Sequence, residues 1–229
     1  ELREKSGCSL EFAQRIISSQ EKAFLSAREQ FTINQDEGGS YVLLGDLNYP
    51  AELSRCPDAP HILFYKGKLP DLGTRLVSIV GTRKATEYGK DATDRIVEVL
   101  AECNATIVSG LAYGIDIRAH RKAIELNIPT LAVLGSGLGR IYPGTHRSDV
   151  SSLIRNGAVI SEYLHNQGPD REHFPVRNRI VAGLSVATIV VEARKEGGAW
   201  ITARLANEYG REVLAVPGRW NSAASEGCH

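Results

Sequence analysis

From Leu76 onward, short β-branched apolar runs alternate with helical patterns, and three of the runs end in small residues. The tips are Val80-Gly81-Thr82-Arg83, Val108-Ser109-Gly110 with Gly114 beyond it, and Leu134-Gly135-Ser136-Gly137. Apolar β-branched runs of this length read as buried parallel strands, because only a sheet covered on both faces hides both sides of a strand. Strands are expected near 76–80, 106–108, 130–134, 158–160, 186–191 and 212–216. The spacing predicts an α/β protein with a mostly parallel sheet and helices on both faces. Shorter strands are expected near 41–44 and 62–65. The clearest helix spans 88–103, with Ala92, Ile96, Val99, Leu100 and Cys103 on one apolar face.

Upstream, residues 9–18 and 20–32 read as two short helices. Leu10, Ala13, Ile16 and Ile17 form one apolar face, and Ala23, Phe24, Ala27 and Phe31 the other. Asp36-Glu37-Gly38-Gly39 separates them from the first strand.

Loops after parallel strands lie at the carboxyl edge of the sheet, where ligands of open α/β folds bind. Glycine there lets backbone N–H groups approach an anion, and the following helix N-terminus adds partial positive charge. Arg83 and Lys84 add full charge, and a guanidinium matches phosphate with a fork of donors. Ser109, Gly110, Gly135, Ser136 and Gly137 are candidate donors at the other tips. A further segment, Phe174-Pro175-Val176-Arg177-Asn178-Arg179, starts a helix with two arginines in its first turn. The helix dipole disfavours cations there, so an anion or a carboxylate must compensate. Glu162 and Glu192 are the candidate carboxylates, leaving one arginine for the ligand. Thr202, after Gly197-Gly198, either caps its helix or touches phosphate. Trp200 reads as a core or interface residue, with base stacking as the alternative.

Asp116 and His120 lie four residues apart on one helix face and read as braces for the Ser109–Gly114 loop, with Gly81 and Gly114 as structural glycines. Nucleophilic catalysis is disfavoured because Ser109 lacks the G-x-S-x-G elbow. Neither the dinucleotide fingerprint nor a Walker A lysine is present. Lys+Arg and Asp+Glu number 27 each, so a polyanion must bind through a local patch rather than bulk charge. The four cysteines have no C-x-x-C pair and the six histidines no ligand spacing, so no metal, disulfide framework or cofactor is expected. No apolar run approaches the length of a membrane span and no signal peptide opens the chain, which points to a cytoplasmic protein without membrane contact.

These residues, with Ile115-Asp116-x-x-Ala119-His120, Tyr142-Pro143-x-x-His146, Ser161-Glu162-Tyr163, Ile180-x-Ala182-Gly183-Leu184-Ser185, Gly198-Ala199-x-Ile201-Thr202-Ala203 and Val216-Pro217-Gly218, resemble the bacterial DNA-processing family DprA (Smf). The resemblance implies a Rossmann-like domain over 37–229, with residues 1–36 the remnant of a preceding helical domain. It also implies that a C-terminal winged-helix-like domain, common in the family, is absent. The implied function is non-enzymatic: single-stranded DNA binding, loading of a RecA-type recombinase in natural transformation, and homodimerisation through the core. By position, Arg83, the Ser109-Gly110 tip, the Gly135–Gly137 tip and Arg177–Arg179 match the family's DNA-contacting loops. Gly144 and Thr145 stand where some members carry a lysine, and Arg147 or Arg140 is the candidate replacement. Two rivals use the same tips: a small-nucleotide sensor, and an enzyme similar to the phosphoribohydrolases. In the latter pattern Arg204 stands where those enzymes place a glutamate, and a cation cannot act as the carboxylate base.

Overall fold

The computed structural model describes residues 10–71 and 73–229. Eight strands form one sheet: β1 (Ser40–Leu43), β2 (Ile62–Gly67), β3 (Leu76–Val80), β4 (Thr106–Ser109), β5 (Thr130–Val133), β6 (Gly157–Ser161), β7 (Ala187–Val190) and β8 (Glu212–Ala215). The helices are α1 (Leu10–Asp36), α2 (Ala51–Ser54), α3 (Glu87–Glu102), α4 (Ile115–Glu125), α5 (Arg147–Asn156), α6 (His173–Leu184) and α7 (Gly198–Glu208).

The spatial order is β1-β2-β6-β5-β4-β3-β7-β8. The β6-to-β8 block is parallel throughout, and β1 and β2 join it antiparallel. The chain builds outward from β3 through β4 and β5 to β6, then crosses back by α6 to lay β7 on the other side of β3. The strand order therefore reverses beside β3, which opens a crevice at the carboxyl ends of β3, β4 and β7.

Period-two alternation divides the strand side chains between two faces. Val80, Val108, Leu131 and Val133 meet Leu53 of α2, Ile180, Val181 and Leu184 of α6, and Ala199 of α7. On the opposite face Ile79 and Ile107 meet Val97 of α3 and Ala119 of α4, and Ala132 and Val159 meet Leu153 of α5. The expected two-faced α/β layering is thus observed. Ser78 ties α6 to the sheet, its hydroxyl donating to Val181 O at 2.7 Å.

Three expectations are corrected. The two upstream helices are one continuous 27-residue helix, because Ser18-Ser19-Gln20 contains neither glycine nor proline to break it. The face Leu10, Ala13, Ile16 and Ile17 lies outside the described side chains, and Phe24 is 69% exposed rather than packed. On α3, Val97 takes the buried place, while Val99 and Cys103 are exposed; Cys103 is already the C-cap, where the helix face has turned outward.

Ile180 is fully buried between α2 and the sheet. Ile180→Ala is expected to cost about 2–5 kcal/mol in urea denaturation. A loss below about 1 kcal/mol would contradict this packing.

Candidate nucleic-acid interface

A crevice of about 660 Å³ occupies the switch point. One wall is the turn after β3, with Gly81, Thr82 and Arg83. The floor is Gly110, Ala112 and Asp116. The opposite walls are Pro169-Asp170-Arg171 with Phe174, Pro175, Arg177 and Asn178, and Arg194 with Gly197, Gly198 and Thr202. Four arginines and two aspartates line it.

The turns are tied to one another by backbone. Thr82 N–H donates to Glu192 O at 2.7 Å, and Ile115 N–H donates to Thr82 O at 3.2 Å. Gly114 has φ +77°, and a Cβ there would lie 2.1 Å from Thr82 O, so only glycine lets the β4 loop pass the β3 turn. Glu192 does not pair with Arg177 or Arg179. It accepts the Thr86 N–H at 3.0 Å, while Thr86 Oγ1 caps α3 by accepting Gly89 N–H at 3.1 Å.

Arg177 is 4% exposed. Its Nη1 donates to Gly110 O at 2.6 Å and to Val133 O, and its Nε donates to Asn178 Oδ1 at 3.2 Å. Burial lowers its pKa to about 10, opposed by the nearby Asp116 carboxylate, so it stays charged at neutral pH. Asp116 Oδ2 accepts the N–H groups of Gly110 at 3.2 Å and Ala112 at 3.4 Å. Burial raises the Asp116 pKa, and the Arg177 charge and these N–H donors oppose the rise.

Arg83, Arg171 and Arg194 differ from the buried pair. All three are exposed, and among the described residues none makes an ion pair. Arg118, Arg121, Arg179 and Arg211, by contrast, each hold a carboxylate. Arg83 lies over the Phe174 ring at 5.6 Å, and Phe174 packs tilted against Tyr142 at 5.5 Å between centroids. Unneutralised guanidinium groups beside aromatic faces can bind phosphate and stack a base.

Several expected contact residues lie elsewhere. Ser109 is fully buried and donates to Ile79 O at 2.6 Å, so it braces the sheet. Gly110 lines the floor, but its N–H is taken by Asp116. The Gly135–Gly137 tip is covered: Gly135 abuts the Phe174 ring, Ser136 donates to Arg140 O at 2.6 Å, and Gly137 N–H donates to Gln167 O at 2.8 Å. Arg179 points away from the crevice to Glu162, the carboxylate proposed for it. The helix begins at His173 rather than beside Pro175, so Arg177 and Arg179 lie past its first turn, and both are structural, rather than one. Asn178 lines the crevice and donates to Gly198 O at 3.2 Å. Thr202 lines it too, but its hydroxyl donates to Gly198 O at 3.2 Å. Lys84 and Arg147 are exposed outside the crevice lining. Trp200 is 41% exposed, so it is not a core residue, and Arg204 stacks on it at 5.6 Å. Sequence reasoning assigned no role to Arg171, Arg194, Phe174 and Tyr142, which have no periodicity and are brought together only by the fold.

His120 sits beneath the β4 loop. Thr130 Oγ1 donates to Ile107 O, so His120 Nδ1–H donates to Thr130 Oγ1 at 2.7 Å, while its Nε2 has no partner among the described residues. It braces β5 rather than the loop itself.

The site is an arginine-rimmed, aromatic-walled crevice at the switch point of a parallel α/β sheet, a class built to hold phosphorylated ligands. A family model described as DNA recombination-mediator protein A matches residues 40–229, and the chain belongs to this family. Protein Smf of Synechocystis is 40% identical over 199 residues, covering 85% of this chain and 50% of that protein. The chain thus spans half the length of that relative. A solved structure of DNA processing protein A (DprA) from Streptococcus pneumoniae superposes with a TM-score of 0.82 at 38% identity, covering 91% of this chain and 71% of that one. A second, of DNA processing protein A from Helicobacter pylori, gives 0.72 at 32% identity, covering 80% and 84%. It is described as showing a unique single-stranded DNA binding mode.

Among the described residues no helix is long and apolar enough to cross a membrane, and no group of His, Cys, Asp or Glu is placed to hold a metal ion.

Burial lowers the His120 pKa from 6.5 to about 3, with Arg177 and His146 adding to the fall. The unfolded chain then binds the proton first, so this contribution to stability is full above pH 6.5 and is lost as pH falls toward 3. Chemical denaturation of wild type and His120→Gln at several pH values should show an extra wild-type loss of about 1.36 kcal/mol per pH unit across that window. Parallel pH profiles would contradict the buried neutral histidine.

Proposed function

We propose that this chain binds single-stranded DNA in the switch-point crevice, without strong sequence preference and without catalysing a reaction on it. The observation that carries the reading is the set of unpaired guanidinium groups, Arg83, Arg171 and Arg194, around the Phe174 and Tyr142 rings. Phosphates take the arginines and a base takes an aromatic face, a sequence-tolerant combination. The Helicobacter pylori relative's described single-stranded DNA binding agrees with this.

The non-enzymatic reading rests on Asp116. It is the acidic residue of the crevice floor, and its Oδ2 accepts two backbone N–H groups, which supports a role in holding the β4 loop. The proposal extends to loading of a RecA-type recombinase in the cytoplasm, and the family description as a recombination mediator agrees with the loading role. Homodimerisation is supported by β8, an edge strand with exposed Val213 and Leu214. Two linked crevices would raise affinity for a long strand. The α1 helix is read as the end of a helical unit, with the Rossmann-like domain running over 37–229.

Fluorescence anisotropy of a labelled dT oligomer and a matched duplex, across a salt series, tests the reading. Three neutralised phosphates predict a slope of about −2 in log K against log salt for the single strand. Arg83→Ala should weaken binding about tenfold or more, as expected for a charge-assisted contact. Feeble binding to both DNAs, unchanged by the substitution, contradicts the reading. Tight mononucleotide binding with weak DNA binding would instead favour a nucleotide sensor.

A further inference from the structure

We propose that the C-terminal end of α1 positions the Arg171 wall of the crevice, so that Gln30 and Asn34 act on DNA binding through a loop and not by touching DNA. The proposal rests on the reading of the crevice as a single-strand site. The segment 162–172 leaves β6, passes the far side of the Gly135–Gly139 turn, and ends by carrying Pro169, Asp170 and Arg171 into the crevice. Arg171 is exposed and has no hydrogen bond or ion pair among the described residues. Its guanidinium therefore goes where the backbone of this segment puts it.

That backbone is clamped from two sides. On the inner side, Gly137 N–H donates to Gln167 O at 2.8 Å and Gly139 N–H donates to His165 O at 3.0 Å. The approach is close: a Cβ on Gly137 would stand 2.0 Å from Leu164 O. On the outer side the partner is α1. Asn166 N–H donates to Gln30 Oε1 at 2.8 Å. His165 Nδ1 lies 3.2 Å from Asn34 Oδ1, and its Nε2 lies 3.1 Å from Glu37 Oε2. Asn34 and His165 are each only 1% exposed, so the contact is built into the molecule. Asn34 is itself held, its Nδ2 donating to Ser40 O at 3.3 Å, and Glu37 also takes Lys66 Nζ at 3.1 Å. Phe31 anchors the helix end edge-on to Tyr41 and Phe64, at 5.1 Å from each ring. Removing the outer clamp leaves 164–167 held on one side only, and Arg171 lies four residues beyond.

A double-mutant cycle separates this from a general packing role. Gln30→Ala and Asn34→Ala are measured by dT anisotropy in the wild-type, Arg171→Ala and Arg83→Ala backgrounds. Each is expected to weaken binding roughly three- to tenfold in wild type and in Arg83→Ala, and to have no effect once Arg171 is gone. The wild-type salt slope should fall by about 0.7 as one phosphate contact is lost. An equal loss in the Arg171→Ala background, or no loss in wild type, overturns the proposal. Gln30→Ala removes only the contact to Asn166 and carries the cycle alone if Asn34→Ala does not fold. Hydrogen exchange of the amides in 163–171 should rise in Gln30→Ala without DNA, and unchanged exchange also overturns the proposal. Failure of wild type to bind the oligomer, with exchange still raised, would sink the single-strand reading and leave the clamp standing.

Discussion

The Arg177 guanidinium reaches from just past the first turn of α6 to the carbonyl ends of β4 and β5, donating to Gly110 O and Val133 O. Charge-assisted donors of fixed geometry join three elements that have no sequence contact. Asp116 completes the arrangement from α4 by holding the Gly110 and Ala112 amides. The crevice depends on this interaction. It fixes the floor, and it fixes the start of α6, from which Phe174 and Asn178 face inward. Burying the Arg177 guanidinium is costly, and the strand carbonyls and the neighbouring Asp116 limit that cost. Both arginines early in α6 are satisfied within the fold, Arg177 by strand carbonyls and Arg179 by Glu162.

Function on a chain of zero net charge then becomes a matter of which unpaired cations the fold gathers in one place. Arg118, Arg121 and Arg211 are neutralised on the flanks. Arg83, Arg171 and Arg194 are not, and all three open on one crevice. The local field is set by withheld partners rather than by excess charge. Each arginine comes from a different loop, so their spacing is a property of the sheet that aligns the loops.

Strands and their order of appearance were legible because buried parallel strands write a strong local signal, and Val77-Ser78-Ile79-Val80 or Ile107-Val108 admit little else. The glycine tips were legible as turns. Which tip faces the crevice was not, because that depends on what packs over it: Phe174 and the 164–167 segment cover the Gly135–Gly137 turn, while the Gly81-Thr82-Arg83 turn lines the crevice. Ser109 and Ser136 look like ligand donors in sequence, yet their hydroxyls are spent on Ile79 O and Arg140 O. Arg171 sits in a polar run that offers no periodicity, and only the fold brings it to the crevice. The continuity of α1 was missed for a related reason: its apolar residues form faces too short to suggest one long helix, and Phe24 is not packed.

The most direct measurement is photocrosslinking of a 5-iododeoxyuridine-substituted single strand, with the crosslinked peptide sequenced. A strand in the crevice stacks on its aromatic wall, so crosslinks are predicted at Phe174 or Tyr142. Crosslinks at the exposed Trp200 or Trp220, with none in the crevice, would contradict the account.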